Sequence, residues 1–229
     1  MRTTITATFK HSIKPPLWML AVGFLLCSFM QVKATDLENI IPYKGKITRD
    51  VELSSTSTWT IKQSGNVFAS GMGETLLDFS FNIPGDYTIE INETDVTKQH
   101  HDECEHTEWP IVMNITVSPV RMTFDMSSLA LSEDIIGGKD MTGSTLTISV
   151  FVETFNNQPV TLTYPQFRSA GIETTIEGSL PNPATILMPG INLLQYDLKG
   201  AATSGTYIMF DLIDYNGLTQ CYYKQEMIP

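Results

Sequence analysis

The chain has 229 residues, 25 of them acidic and 14 basic, with a net charge of −11 and a hydrophobic share of 42%. That apolar share is too high for a disordered chain and ordinary for a globular one. The negative balance, with no basic stripe, excludes DNA and RNA as partners, because nucleic-acid affinity comes largely from Lys and Arg neutralising phosphates.

Arg2, Lys10 and Lys14 precede an apolar run of 14 residues from Leu17 to Met30, and Gln31-Val32-Lys33-Ala34 follows. These are the basic, apolar and small-residue cleavage regions of a secretory signal peptide, so residues 1–34 are expected to be removed on export. The apolar run is shorter than the ~20 residues a membrane span requires, and no direct span is expected after cleavage. Cleavage deletes four basic residues and no acidic ones, which takes the charge from −11 to −15. It also removes Cys27, whose neighbour Leu26 is not the small residue that lipoprotein processing favours. Cys104 and Cys221 then remain in an oxidising compartment that permits a disulfide, though they fall in different predicted domains and nothing in the sequence brings them together.

Beyond residue 35 the pattern is period two, the signature of strands with one face buried. Leu77, Phe79, Phe81 and Ile83 share one face, and Tyr87, Ile89 and Ile91 do so after Pro84-Gly85, which predicts two strands joined at a corner. Ile111, Met113, Ile115 and Val117 form the next, ended by Pro119. Leu146, Ile148, Val150 and Val152 alternate up to an Asn156–Pro159 turn, and Val160, Leu162 and Tyr164 resume after it. Ile208, Phe210 and Leu212 run into Asp214-Tyr215-Asn216-Gly217, and Leu218 to Met227 return as a hairpin.

Many short strands between Gly, Pro and Asn turns predict an all-β chain of two immunoglobulin-like antiparallel β-sandwich domains in tandem, residues 35–118 and 119–229. Each domain places Gly two residues before a Tyr that opens a strand, Gly85 before Tyr87 and Gly205 before Tyr207. Both tyrosines are therefore expected at a corner, ring buried and hydroxyl bonded to the backbone.

Phe79-Ser80-Phe81-Asn82-Ile83-Pro84-Gly85-Asp86-Tyr87-Thr88-Ile89, with Trp59 as the core residue of an early strand, resembles the late strands of PKD or immunoglobulin-like modules of exported bacterial proteins. Unlike PKD modules, the chain has no Asp-Gly turn after the tryptophan. In the second half Pro181-Asn182-Pro183-Ala184, Tyr196-Asp197-Leu198-Lys199-Gly200 and Ser204-Gly205-Thr206-Tyr207-Ile208 are similar to motifs of type IX sorting domains. The last hairpin is similar to that of small envelope proteins encoded by conjugative transposons. These resemblances imply a β-sandwich fold and a bacterial envelope or surface setting, and fold alone does not fix function.

One cluster carries chemistry. All three histidines beyond the signal lie in His100-His101-Asp102-Glu103-Cys104-Glu105-His106, between two predicted strands. Imidazole, thiolate and carboxylate are zinc ligands, and His100, His101, Cys104 and His106 form the candidate metal set. In an extended strand the outer two would stand roughly 20 Å apart, so only a tight turn could gather them around one ion. The competing expectation is a solvated loop tip. Gly71-Met72-Gly73 and Gly137-Gly138-Lys139-Asp140 lack the further residues of a dinucleotide loop and a P-loop, and no Gly-x-Ser-x-Gly elbow occurs.

The sequence therefore predicts a non-catalytic binding, adhesion or assembly protein of the periplasm, outer-membrane surface or extracellular space, whose partner is an envelope protein or a glycan. A metal-dependent enzyme using the histidine loop is the alternative class. Trp109 exposed beside tyrosines would favour the glycan-binding form. Exported protein is expected to begin at Thr35, and mass spectrometry that finds residues before Ala34 retained would overturn the assigned cleavage.

Overall fold

The computed structural model describes residues 39–49, 52–95, 109, 111–162 and 166–224. The fold is all-β, and among the described residues the only α-helix is one turn, α1 (Thr75–Asp78). No described helix is long and apolar enough to cross a membrane.

The first sheet contains β1 (Ile40–Ile41), β2 (Thr58–Gln63), β3 (Asn66–Met72), β4 (Gly85–Asn92) and β5 (Val112–Val117), in the order β1-β5-β4-β2-β3. β1 is parallel to β5 and the remaining pairs are antiparallel. The predicted alternation holds for Tyr87, Ile89 and Ile91 and for Met113, Ile115 and Val117, which are buried on one face, whereas Ile111, expected with the latter, is exposed just before β5; Trp59 and Ile61 of β2 are buried too. Register places Trp59 opposite Ile91 and Ile89 opposite both Ile61 and Met113, so the apolar stripe crosses three strands. Edge-on ring contacts run from Trp59 through Phe79 and Phe81 to Tyr87, with centroids 4.9–6.1 Å apart. Gly71 is required beside them, since a Cβ there would lie 2.3 Å from the Trp59 ring.

The predicted strand from Leu77 to Ile83 does not form. Leu77 lies in α1, where Leu76 is the fully buried residue, and Ile83 is exposed. Phe81 exchanges backbone bonds with the segment after β1, accepting from Lys44 N–H (2.9 Å) and donating to Gly45 O (3.0 Å). A turn of helix before Phe79 and Pro84 after it leave too few extended residues for a ladder. Irregular segments carrying Ile47, Leu53, Leu76 and Phe81 cover this face of the sheet.

The second sheet contains β6 (Val120–Leu131), β7 (Thr145–Thr154), β9 (Gln166–Ala170), β10 (Glu177–Ser179), β12 (Gly190–Lys199), β13 (Ile208–Ile213) and β14 (Thr219–Lys224). Its order is β14-β13-β9-β10-β12-β7-β6, while β8 (Val160–Thr161) and β11 (Ile186–Leu187) pair separately. The sheet curls around a core that includes Leu146, Ile148, Val150, Tyr196, Ile208, Phe210 and Leu212. Short β10 carries Gly178 because the Phe167 ring crosses it, and a Cβ there would lie 2.1 Å from that ring. The predicted hairpin forms as β13–β14 around the Asp214–Gly217 turn.

The two tyrosine corners divide. Tyr87 is buried and its hydroxyl donates to the Ile83 carbonyl at 2.8 Å. Tyr207 is exposed and stacks on Tyr223 across the hairpin, with centroids 5.9 Å apart. The expected second corner is thus absent, because Ile208 takes the buried position beside it. Tyr196 presents the reverse case: its hydroxyl is buried with no hydrogen-bond partner among the described residues, and burial pushes its pKa well up.

Removing a bonded and an unbonded buried hydroxyl should therefore differ in sign. Tyr87→Phe is expected to lower stability by about 1 kcal/mol, whereas Tyr196→Phe should be neutral or stabilising, since it removes only a desolvated group. Urea unfolding of the two variants beside the parent checks this.

Candidate functional site

The predicted metal ligands His100, His101, Cys104 and His106 lie outside the described residues. Among the described residues no group of three His, Cys, Asp or Glu side chains is placed to hold a metal ion. What the structure does define is where the chain leaves and re-enters the sheet around that segment.

On the leaving side, Glu93 follows directly after β4. Its carboxylate accepts from Ser54 Oγ, from Ser57 Oγ at 2.6 Å, and from the N–H groups of Asp95 at 2.9 Å and Ser54 at 3.2 Å. Partial burial pushes this carboxyl upward, but the hydrogen bonds outweigh it and hold the pKa at about 2. The Ser/Thr-rich run before β2 is thereby tied to the end of β4. On the returning side, Trp109 is buried in the first core with the Arg49 guanidinium 5.2 Å from its ring centre. Trp109 is a core residue and not an exposed sugar platform. Next to this end of the sheet, a shallow depression of about 310 Å³ is lined by Thr58, Thr60, Glu90, Asn92, Ile111 and Val112, with no aromatic ring in its wall.

A different feature dominates the outer face of the second sheet. Ile191 is 81% exposed, Leu193 71% and Phe151 49%. Ile191 pairs directly with Phe151, and Leu193 lies two residues further along the same face of β12. The entry into β12 is tied by the Asn192 amide, which bonds Met188 N–H (2.9 Å), Met188 O (2.8 Å) and Gly190 O (3.1 Å). A contiguous apolar row on a well-ordered sheet surface is the kind of feature that marks contact sites.

Elsewhere the same sheet is solvated by charge. Direct cross-strand pairing lines up Lys199, Glu177, Arg168, Asp211 and Cys221 across five strands. Lys199 bonds Glu177 at 2.8 Å, and the Cys221 thiol donates to Asp211 at 3.0 Å. Cys221 is exposed and free, and that bond to Asp211, helped by its negative charge, raises the thiol pKa. The row was invisible in the sequence, since its members come together only through register.

No family model matches the chain, and no curated protein matches it. Among solved structures it is similar to a β-glucuronidase from glycoside hydrolase family 2, with 11% identity and a TM-score of 0.19, over 78% of this chain and 19% of that one. The chain thus spans about a fifth of that enzyme's length, and the likeness extends no further than richness in β-strand.

Glu93 supplies a pH prediction. Its folded pKa, about 2, lies below its ordinary 4.5, so its stabilising contribution is full above about 4.5 and is lost as pH falls toward 2. Glu93→Gln should lower the melting temperature at pH 7, and the gap to the parent should close by pH 2. Melts at both pH values decide it; an equal gap would mean that the charge does not matter.

Proposed function

We propose that this is a non-catalytic binding or assembly protein of the bacterial cell envelope, exported after removal of residues 1–34 and built of two immunoglobulin-like modules, residues 35–118 and 119–229. The observation that carries the reading is the exposed row of Phe151, Ile191 and Leu193 on the second sheet. Burying three such side chains against a partner is worth several kcal/mol at roughly 25 cal/mol per Å², and leaving them in water offers the isolated protein nothing.

The order of β3, β2, β4 and β5 supports the module reading for the first half. It matches the C′-C-F-G sheet of an immunoglobulin-like variable module, with buried Trp59 on the C strand and the Tyr87 corner opening the F strand. The irregular second layer is a departure from such modules.

The test is binding of the purified protein to envelope fractions of its source cells. Replacing Ile191 and Leu193 together by Lys should abolish a specific association. Thr147→Lys, on the same sheet, should leave it intact, and both variants should melt like the parent because surface changes alter stability within about 0.5 kcal/mol. Association unaffected by the double variant would remove this face from the reading.

A further inference from the structure

We infer that the free edge of β3 accepts an extended strand from a partner protein, which adds to the first sheet antiparallel to β3. This deepens the binding reading above by naming the partner's form, and it rests on a different surface. β3 is the last strand of its sheet and faces no further strand among the described residues, although its last carbonyl, Met72 O, already accepts from Thr75 Oγ1 at 2.6 Å. Natural edges are commonly guarded by charge, proline or bulges. Asn66-Val67-Phe68-Ala69-Ser70-Gly71-Met72 has neither charge nor proline, and its single irregularity sits at Phe68, which leaves Ala69 to Met72 in regular register.

The two faces of this edge specify the occupant. On the core side Phe68, 40% exposed, stands at the rim with its ring 5.4 Å from Tyr87 and 6.2 Å from Phe79. Apolar side chains at alternate positions of an added strand would extend the core over it. On the outer side β3 presents exposed Val67, Ser70 and exposed Met72, with Thr60 opposite Ser70 and Thr58 opposite Met72, a mixed face that threonine, part methyl and part hydroxyl, matches. At the end of β3 stand exposed Glu74 and Asp78, the latter only loosely paired with Lys46 at 3.4 Å. An antiparallel strand would bring its N-terminal end there, so a Lys or Arg at that end is complementary. A second copy of the chain fits less well, because each copy is strongly acidic, −11 with residues 1–34 and −15 without them.

The probe is a seven-residue peptide of alternating valine and threonine that begins with lysine, added to the full chain. Amide exchange at 66–72 should slow, and N-methylation of alternate residues on the pairing edge should abolish the effect, whereas methylation of the opposite edge should not. Glu74→Lys should weaken binding severalfold at low salt, and the Ile191/Leu193 double variant should bind the peptide normally, which separates failure of this inference from failure of the apolar face. No slowing at millimolar peptide, or equal binding of the two methylated peptides, would overturn the inference. Concentration-dependent dimers with β3 already protected would also overturn it, by making a second copy the occupant.

Discussion

The closure of the second sheet depends on side-chain amides, that of Gln220 first among them. β14 and β6 are the two ends of a seven-stranded sheet, and no main-chain ladder joins them. Gln220 joins them instead: its Nε2 donates to Met122 O at 2.9 Å, and its Oε1 accepts from Phe124 N–H at 3.1 Å. A carboxamide carries the same donor and acceptor as a peptide unit, so it replaces one rung of a ladder. An apolar residue at 220 would leave both backbone groups without these partners, at about 1–3 kcal/mol for each group left buried and unsatisfied. Behind Gln220 stands buried Asp214, whose Oδ1 accepts from Asn216 N–H at 2.8 Å and Leu218 N–H at 2.9 Å while Oδ2 lies 3.5 Å from the Gln220 amide. Burial raises the Asp214 pKa, and these donors partly offset it. The turn that makes the last hairpin thus also orients the group that closes the sheet.

That closure and the passage between the two sheets converge on one carbonyl. Val120 O accepts from Asn216 Nδ2 at 3.1 Å and from Tyr43 N–H at 3.4 Å. Around it, Ser118 N–H bonds Ile41 O, Val120 N–H bonds Ser118 Oγ, and Phe155 N–H bonds Pro119 O. The Lys44–Glu153 pair at 2.8 Å is exposed, and such pairs add little to stability. The edge-on packing of Tyr43 on Phe155 and the backbone bonds, which no salt can screen, set the local geometry.

Strands whose inner face is uniformly apolar were legible: β4, β5, β7 and β13 follow directly from alternation, while β2 was marked only by Trp59. The failures have physical causes. Leu77 to Ile83 alternates, yet a helical turn can also bury one leucine, and local pattern does not distinguish Leu76 from Leu77. Gly-x-Tyr at 205–207 matches the true corner at 85–87, but the ring at 207 finds Tyr223 before it finds the core. The apolar row had a signal that period-two reading passes over: Ile191 and Leu193 alternate in one phase, and Leu194, Tyr196 and Leu198 in the other. A strand cannot bury both phases against one core, so a change of phase identifies the apolar residues left outside. Neither the Gln220 bridge nor the charged row has a local signal, because both depend on which strands meet.

The two halves answer the problem of sheet edges differently. In the second, side-chain amides from the last hairpin bond Val120 O, Met122 O and Phe124 N–H, so the first part of the β6 edge is occupied. In the first, the corresponding layer is irregular, the five-stranded sheet has two ends among the described residues, and only β1, two residues long, is too short to pair much. Curling requires a second run of strands to wrap around a core, and the residues between β3 and β4 are instead spent on α1 and on the aromatic contacts of Phe79 and Phe81. The segment that supplies the aromatic packing of the first core thus adds no strand beside β3, the last strand of its sheet among the described residues.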